Sequence, residues 1–375
     1  MIQPPSFITP QRIRASNMDT TGRHFESAIP DHLRTARTRH KRISDRFRPQ
    51  HPTFAARFAP EVTEVVMAYF GVQFLGTETP AVSAALGHLQ SSLSSPGGAQ
   101  YWDHARYTDE IGNDTYLFVG YWDNRSAFDS WLNAPQQKSW WDSQERETDG
   151  IGYFREFFTP RAVDFETAFS AKNSEGIANL SRGMSGEIQE HGYWGSARDR
   201  IPLSQVDALE PPEPQPRSEK RVIKGGRVTV TPQENLCLIR SGQDWTEADD
   251  HERKMYFNEV EPQLTTGMTF LRDQGRDLGC YTNRFVRLLD KTGQPIAKSY
   301  TMGLWRSLED LELWAASHPT HLAIFVSAIK HFSTLGEAAR LRVYHEVGVI
   351  RAQDQHFEYI NCHPKTGMLN ASNPA

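Results

Sequence analysis

The strongest constraint on the fold is an internal repeat in the amino-acid sequence. A G-x-W segment followed by a second tryptophan occurs twice, at a spacing of 183 positions: Gly120, Trp122 and Trp131, and then Gly303, Trp305 and Trp314. Both copies have the pattern of a strand end, a short turn and a helix. Ser126 and Ser307 are predicted to cap these helices, because a hydroxyl can accept a hydrogen bond from a free backbone N–H. The chain is therefore predicted to contain two related halves.

Hydrophobic periodicity predicts the same order of elements in both halves. In the first half, a strand is predicted over 62–75, a helix over 80–94, strands over 101–108 and 115–122, a helix over 126–143 and a strand over 151–158. In the second half, the elements are a strand over 234–241, a helix over 245–274, strands over 279–288 and 296–305, helical segments over 308–316 and 319–336, and a strand over 341–351. This βαββαβ order is that of the ferredoxin-like unit. We predict an α+β fold of two ferredoxin-like units, of the dimeric α+β barrel type.

Composition divides the chain into four parts. A cluster of prolines marks a connecting segment over 201–227: Pro202, Pro211, Pro212, Pro214 and Pro216. Residues 1–60 are predicted to be an N-terminal extension and arm, and 61–200 the first unit with a connecting motif. Residues 228–375 are predicted to be the second unit, which carries the functional site.

Charge and cysteine content exclude several classes of protein. The net charge of −5 disfavours a general nucleic-acid binder, and no run approaches the ~20 apolar residues that cross a bilayer. The three widely spaced cysteines fit a reducing compartment, so a cytoplasmic protein is expected. Residues 1–24 are loosely compatible with a targeting peptide, but their prolines favour a disordered extension. The basic run 34–48 is interrupted by acids. This pattern favours a solvated arm that lies on the surface of the body or of a subunit partner.

Two histidines in HPTHLAIF are the first candidate site residues. Pro319 suits the first position of a helix, which places His318 at the cap and His321 in the first turn. Helical spacing from His321 reaches an apolar stripe: Phe325, Ala328, Ile329 and Phe332. A core histidine with a satisfied hydrogen bond is the ordinary explanation, and a zinc site lacks a recognisable third ligand. A single imidazole on an apolar, aromatic helix face also suits the proximal side of a haem.

His345 is the second candidate. It takes a central position on the apolar face of the strand LRVYHEVGV, between Val343 and Val347. A buried imidazole without a partner is costly, so this side chain is expected to have a hydrogen-bonding partner. The first half has Arg155 at the corresponding strand position and Lys138 opposite His321. This asymmetry predicts one active site, built mainly in the C-terminal half.

Two further segments carry polar residues in unusual places. Ser241 follows Cys237 and Ile239 on one strand face, either as a site residue or as a turn serine before a glycine. The segment SGEIQEHGYWGSARDR, residues 185–200, holds several charged side chains: Glu187, His191, Arg198 and Arg200. It could bind an anion such as a carboxylate or a haem propionate, or it could contact another subunit.

Six segments together give the chain a resemblance to a known family. They are EHGYWGSARDR, LIRSGQDW, CYTNRFVR, SHPTHLAIF, LRVYHEV and YINCHPKTGML, and the similarity runs from about Glu26 to Leu369. The chain resembles the aldoxime dehydratases, the phenylacetaldoxime dehydratase family. The resemblance implies a haem-dependent lyase that converts an aldoxime into a nitrile, with haem b ferrous in the active state, and commonly a homodimer.

The resemblance also implies roles for single residues. The proximal haem ligand of the family matches His321, and its distal catalytic histidine matches His345. The oxime-binding serine matches Ser241, the distal arginine matches Arg200, and the supporting glutamate matches Glu166 in DFETAF. Arg198, two residues from Arg200, is the alternative distal arginine.

Other functions remain open from the residues alone. They are a peroxidase-like or chlorite-dismutase-like haem oxidoreductase, a haem-based sensor or carrier, and a haem-free structural dimer.

Overall fold

The computed structural model describes residues 24–212 and 221–371, and the predicted N-terminal extension falls almost wholly outside them. The described residues include twelve strands: β1 (Val66–Leu75), β2 (Tyr101–Thr108), β3 (Asn113–Trp122), β4 (Gly152–Phe158), β5 (Phe165–Phe169), β6 (Arg221–Lys224), β7 (Arg227–Val230), β8 (Leu236–Asp244), β9 (Cys280–Leu289), β10 (Pro295–Trp305), β11 (Arg342–Ile350) and β12 (Gln355–Ile360). They form one antiparallel sheet in the order β5-β11-β8-β10-β9-β2-β3-β1-β4-β12-β7-β6. The fold is therefore a mixed α and β fold built on a single curled sheet.

The two halves of the sheet repeat one neighbour order. The first four strands lie as β2-β3-β1-β4, and the corresponding strands of the second half lie as β9-β10-β8-β11. A short pairing of β2 with β9, His104–Arg106 against Leu289–Arg287, joins the halves. The halves also exchange edge strands, because β5 pairs with β11 and β12 pairs with β4.

Ten α-helices accompany the sheet in the described residues: α1 (Pro80–Leu93), α2 (Arg125–Leu132), α3 (Pro135–Asp142), α4 (Glu145–Thr148), α5 (Ser196–Arg200), α6 (Asp250–Met255), α7 (Glu261–Gln274), α8 (Leu308–Ser317), α9 (Pro319–Leu335) and α10 (Met368–Ala371). Short 3-10 turns occur at Asp31–Leu33, Gly176–Leu180, Pro202–Gln205, Gly275–Leu278, Gly336–Ala338 and Ala352–Asp354. None of the helices in the described residues is long and apolar enough to cross a membrane.

Local chemistry explains where the helices differ from prediction. The helix expected over 126–143 divides at Pro135, which begins α3. The helix expected over 245–274 contains a π turn, Tyr256–Val260, just before Pro262, which cannot donate a backbone hydrogen bond. Ser307 caps α8 as predicted, but the prediction for Ser126 is wrong, because Asn124 caps α2 instead.

The three largest apolar cores of the described residues hold the fold together. One lies between the two half-sheets and includes Tyr69 and Phe154 from the first half with Leu238 and Met302 from the second. The other two lie between each half-sheet and its helices. The curled sheet therefore has an interior that both halves share, and each half has a separate helix-covered face.

A charged cluster is buried in the shared interior. Arg240 is fully buried and forms an ion pair with Asp103 across the two halves, 2.8 Å between Nη2 and Oδ2. Its guanidinium also donates to the hydroxyls of Tyr121 and Tyr344. Glu346 lies 4.0 Å from Arg240 and accepts a hydrogen bond from the backbone N–H of Ile177, at 2.9 Å. Burial raises the pKa of Glu346 to about 7, although Arg240 opposes that effect.

We predict that the wild type loses stability between acid and neutral pH because Glu346 ionises, and that Glu346→Gln removes this loss. In the unfolded chain this glutamate has a pKa of about 4.3, so between that pH and about 7 the folded state binds more protons than the unfolded state. The stability contributed by this residue therefore falls as pH rises. The difference in melting temperature, variant minus wild type, should therefore be a few degrees larger at pH 8 than at pH 5. The exposed Glu337→Gln is the control, and an equal difference at both pH values would contradict the prediction.

Candidate active site

One row of paired residues distinguishes the helix-covered faces of the two half-sheets. Strand pairing places Arg155, Phe70 and Phe118 side by side in the first half, and His345, Ser241 and Thr301 side by side in the second. Phe118 and Thr301 are separated by the same 183 positions as the repeated tryptophans. The second half therefore has two hydroxyl side chains and a histidine where the first has two phenylalanines and an arginine.

The smaller side chains leave the sheet face of the second half less completely filled than that of the first. In the first half, Phe70 and Phe118 are buried in the core beneath the helices. In the second half, neighbouring apolar side chains on the sheet face, Ile239, Val343 and Phe285, stay only partly buried. Small side chains leave space that the surrounding groups do not fill. The sheet face around Ser241 is therefore less completely covered, and we take it as the floor of a candidate cleft.

Helix α9 forms the opposite wall of the cleft. It packs chiefly on α7 and α8, and His331 is the one fully buried residue of its seventeen. Ile324 contacts the core around Val347, and Phe332 contacts the core around Trp245. Between these ends, Phe325 is 43% and Ile329 46% exposed. An apolar helix face of this kind is ready to contact an apolar ligand in the cleft.

His321 lies in the first turn of α9. The helix begins at Pro319 and is capped by His318, whose side chain accepts a hydrogen bond from Thr320 N–H. The Nδ1 of His321 donates to the carbonyl of Ala315 at 2.7 Å, since a carbonyl can only accept. Burial lowers the pKa of His321, although the bond to Ala315 opposes this. A neutral imidazole with its Nε2 left for a ligand is the result.

The ring of His321 is also fixed by aromatic neighbours. Trp314 contacts it edge-on at 4.7 Å between centroids, and Trp194 contacts it at 5.7 Å. Trp194 lies 5.0 Å from Phe325 and is 44% exposed, at the mouth of the cleft. Together with the bond to Ala315, these contacts orient the imidazole as an outer shell orients a metal ligand.

The wall and the floor fit a haem. A haem needs an axial nitrogen ligand and an apolar slot, and both are present here. His318 is unsuited to join His321 in a zinc site, because it caps α9 and stacks on Phe270 at 4.4 Å. Within 24–212 and 221–371, no group of three or more His, Cys, Asp or Glu side chains could hold a metal ion by itself. A metal at this site would therefore come with a macrocycle that supplies the other ligands.

Three side chains that can carry a charge form a group beside Ser241 on the sheet face. Arg200 donates from Nε to Glu166 at 2.6 Å and from Nη2 to the second carboxylate oxygen at 3.0 Å. Its Nη2 lies 2.6 Å from Nε2 of His345, and Glu166 lies 3.2 Å from the same nitrogen. Both Glu166 and Arg200 are almost fully buried. Burial alone would raise the pKa of Glu166, but Arg200 and His345 outweigh it and hold the pKa below its ordinary value.

The edge strand β5 explains how these residues meet. It pairs with β11 so that Ala168 lies opposite His345, and Glu166 is two residues away on the same face. Helix α5 presents Arg200 to that edge and begins after Gly195, whose φ of +87° suits glycine. With Nε2 engaged, Nδ1 is the nitrogen of His345 available to a ligand. The carboxylate, the guanidinium and the imidazole therefore form one unit beside Ser241.

Arg198 serves a different purpose from Arg200. It pairs with Glu312 of α8, 2.9 Å from Nη2, and with Glu210 at 3.2 Å. These contacts join α5 to α8 and turn Arg198 away from His345. Of the two candidate arginines, Arg200 alone meets both Glu166 and His345.

Sequence reasoning missed two residues of the site. Thr301 lies beside Ser241 in the strand pairing, buried and with its hydroxyl donating to Asn283, and the 183-residue spacing that pairs it with Phe118 could have revealed it. Trp194 lies in the polar and aromatic segment noted from the sequence, but nothing in its spacing indicated a contact with His321.

Comparison with known proteins gives concordant matches over most of the chain. Residues 68–368 match the family model of the haem-containing dehydratases. An aliphatic aldoxime dehydratase from Pseudomonas chlororaphis is 47% identical over 352 residues, which cover 92% of this chain and 98% of the relative. A phenylacetaldoxime dehydratase from a Bacillus species is 33% identical over 333 residues, 88% of this chain and 94% of the relative.

Solved structures agree with these matches. A crystal structure of an aldoxime dehydratase, 46% identical, superposes with a TM-score of 0.87 and covers 92% of this chain and 98% of its own. A second, crystallised with butyraldoxime, is 42% identical and superposes with a TM-score of 0.88 over 94% of this chain and 98% of its own.

We predict that His321→Ala abolishes haem binding. The loss of affinity should exceed the ~10- to 100-fold that removal of an outer-shell partner costs, as measured by the Soret absorbance during haem titration. His318→Asn is the matched control, because asparagine also caps helices and the variant should keep its haem. In His321→Gly, added imidazole should restore the Soret band, which separates loss of a ligand from loss of folding. Full haem retention by His321→Ala would contradict the assignment.

Proposed function

This chain belongs to the family of haem-containing dehydratases, and we propose that it removes water from an aldoxime, R–CH=N–OH, to give the nitrile R–C≡N. The observation that carries the proposal is the arrangement of the cleft. His321 lies on one wall, and the Glu166–Arg200–His345 group lies with Ser241 on the floor. The cleft can therefore hold a haem and, beside it, a small substrate within reach of an acid–base group.

His321 would hold the haem iron through Nε2. A ferrous haem b held there would supply an iron centre that binds nitrogen ligands and can donate electron density to weaken an N–O bond. The partly exposed apolar residues of α9, such as Phe325 and Ile329, support an apolar environment for the cofactor.

His345 would supply the proton transfers. As an imidazolium it gives a proton to the oxime oxygen, so the N–O bond breaks with water as the leaving group. As a neutral imidazole it then takes the proton from the aldehydic carbon, and the nitrile forms. One proton is given and one is recovered, so the reaction is a net elimination. General acid–base catalysis of this kind contributes roughly 10²–10⁴-fold to a rate.

The other floor residues would position the substrate and the histidine. Ser241 lies beside His345 in the strand pairing and would bind the oxime hydroxyl. Arg200 would hold the same hydroxyl from the other side through its donors near His345. Glu166, paired with Arg200 and 3.2 Å from Nε2 of His345, would orient the imidazole.

The finer architecture is also part of the proposal. The shared strand order, β2-β3-β1-β4 and β9-β10-β8-β11, supports two ferredoxin-like units of the dimeric α+β barrel type. We assign them to 61–200 and 228–375, with an arm over 1–60 and a connection over 201–227. A homodimer, as the family resemblance implies, is also part of the proposal.

Anaerobic turnover tests the proposed reaction. The haem-loaded protein, reduced with dithionite, should convert butyraldoxime or phenylacetaldoxime into one equivalent of nitrile without continued use of reductant. Gas chromatography measures aldoxime and nitrile together. Peroxide-dependent dye oxidation by a ferric enzyme that leaves aldoximes unchanged would contradict the proposal and favour an oxidoreductase.

We predict that His345→Gln retains haem but loses turnover. Glutamine can still form hydrogen bonds but cannot exchange a proton, so kcat should fall by about 10²- to 10⁴-fold while the Soret absorbance stays normal. His251→Gln, on the exposed surface of α6, is the control and should behave as the wild type. Unchanged kcat in His345→Gln would remove the acid–base role from this residue.

A further inference from the structure

Residues 24–48 of the predicted N-terminal arm lie along residues 187–205, the segment that carries Arg200. Glu26 pairs with this segment through two backbone hydrogen bonds, donating to Glu187 at 2.7 Å and accepting from Gln189 at 3.0 Å. Further along, Thr38 and Arg39 both donate to the carbonyl of Gln205. The arm therefore contacts the segment on both sides of α5.

Glu190 links the arm to Arg200. Its side chain is 2% exposed and accepts from the backbone N–H of Ala28 at 2.8 Å and from Nζ of Lys41 at 2.9 Å. Its own backbone carbonyl accepts from Nη1 of Arg200 at 2.7 Å. Glu190 thus binds the arm through its carboxylate and binds the guanidinium of Arg200 through its backbone carbonyl.

Asp199 gives the arm a second attachment, next to Arg200 in sequence. Its carboxylate accepts from the backbone N–H of Arg42 at 2.9 Å and from the hydroxyl of Tyr193 at 2.8 Å. Its carbonyl accepts from the guanidinium of Arg37 at 3.2 Å. The short helix α5 has too few internal hydrogen bonds to fix Arg200 by itself, so these attachments help to set its position.

The carbonyl of Glu190 is the third hydrogen-bonding partner of the Arg200 guanidinium, after Glu166 and His345. Glu166 binds one edge through Nε and Nη2, and Nη2 also lies 2.6 Å from His345. Without the carbonyl of Glu190, the guanidinium could turn about the carboxylate and move away from the histidine. A cavity of about 30 Å³, lined by arm residues and by Glu166 and Arg200, leaves room for such a shift on the arm side.

We infer that the N-terminal arm is a positioning element of the active site, and that Lys41 and Glu190 hold Arg200 in register with His345 and Glu166. The inference rests on the proposed function for the part that Arg200 plays toward the oxime hydroxyl. The arm acts through Glu190 and does not itself touch the substrate.

Lys41→Met in the haem-loaded full chain tests the inference. Removing the ammonium leaves the buried carboxylate of Glu190 with one fewer donor, and the Glu190 backbone should shift. Small misplacements of a catalytic group have large effects on rate, so kcat/KM for butyraldoxime should fall about tenfold, mainly through KM, at normal haem content. Affinity of the ferric haem for fluoride, which depends on nearby hydrogen-bond donors, should weaken in parallel. Lys41→Arg should restore most of both quantities.

Arg46→Met is the matched control, because it removes the same charge from an exposed position of the same arm. It should match the wild type in every measurement. The inference is overturned if Lys41→Met equals Arg46→Met in KM and in fluoride affinity, or if its activity falls only in proportion to lost haem. A wild type that binds fluoride but converts no aldoxime would refute the proposed function alone, and the fluoride series would still decide the role of the arm.

Discussion

The candidate site depends on the packing of one row of paired side chains on the helix-covered face of each half-sheet. Folded interiors are close-packed, and each half-sheet must fill the space beneath its helices. The first half fills that space with Phe70 and Phe118, which are buried with the ring of Trp131 5.7 Å from Phe70. At the same positions the second half has Ser241 and Thr301, whose side chains are much smaller. Helix α9 packs on α7 and α8, and its partly exposed apolar residues, Phe325 and Ile329, support a cleft between the helix and the sheet.

The chemistry of the cleft depends on charges that are buried but paired. Burial alone would favour the protonated form of a carboxylate, yet Arg200, through its two-point bond, and His345 hold the pKa of Glu166 below its ordinary value. The guanidinium of Arg200 therefore serves two functions, because it stabilises the glutamate and presents hydrogen-bond donors beside His345.

Strands β8 and β11 carry a second buried cluster on their other face, where Arg240 and Glu346 are the neighbours in sequence of Ser241 and His345. The row that forms the floor is thus fixed from both faces of the sheet.

Sequence reasoning predicted the parts of the fold that depend on local pattern, and it proposed candidate residues for the site. Alternation and helical spacing predicted the strands β1 to β4 and β8 to β11, and a histidine on an apolar face singled out both His321 and His345. The short strands β5, β6, β7 and β12 were missed, because four to six residues carry too little periodicity. In addition, β5 and β12 pair with strands that are distant in sequence. For the same reason, the meeting of Glu166 with Arg200 could not be derived from spacing and was implied by family resemblance alone. The capping error at Ser126 had a local cause, since Asn124 is an equally good cap two residues earlier.

The central claim is that the cleft of the second half brings a haem on His321 together with an aldoxime beside Ser241 and His345. An anaerobic absorption spectrum of the reduced, haem-loaded protein, recorded before and after addition of phenylacetaldoxime, tests it most directly. We predict a Soret band that shifts when the aldoxime is added and returns to its starting position as nitrile accumulates. A reduced haem spectrum that does not respond to the aldoxime would contradict the claim.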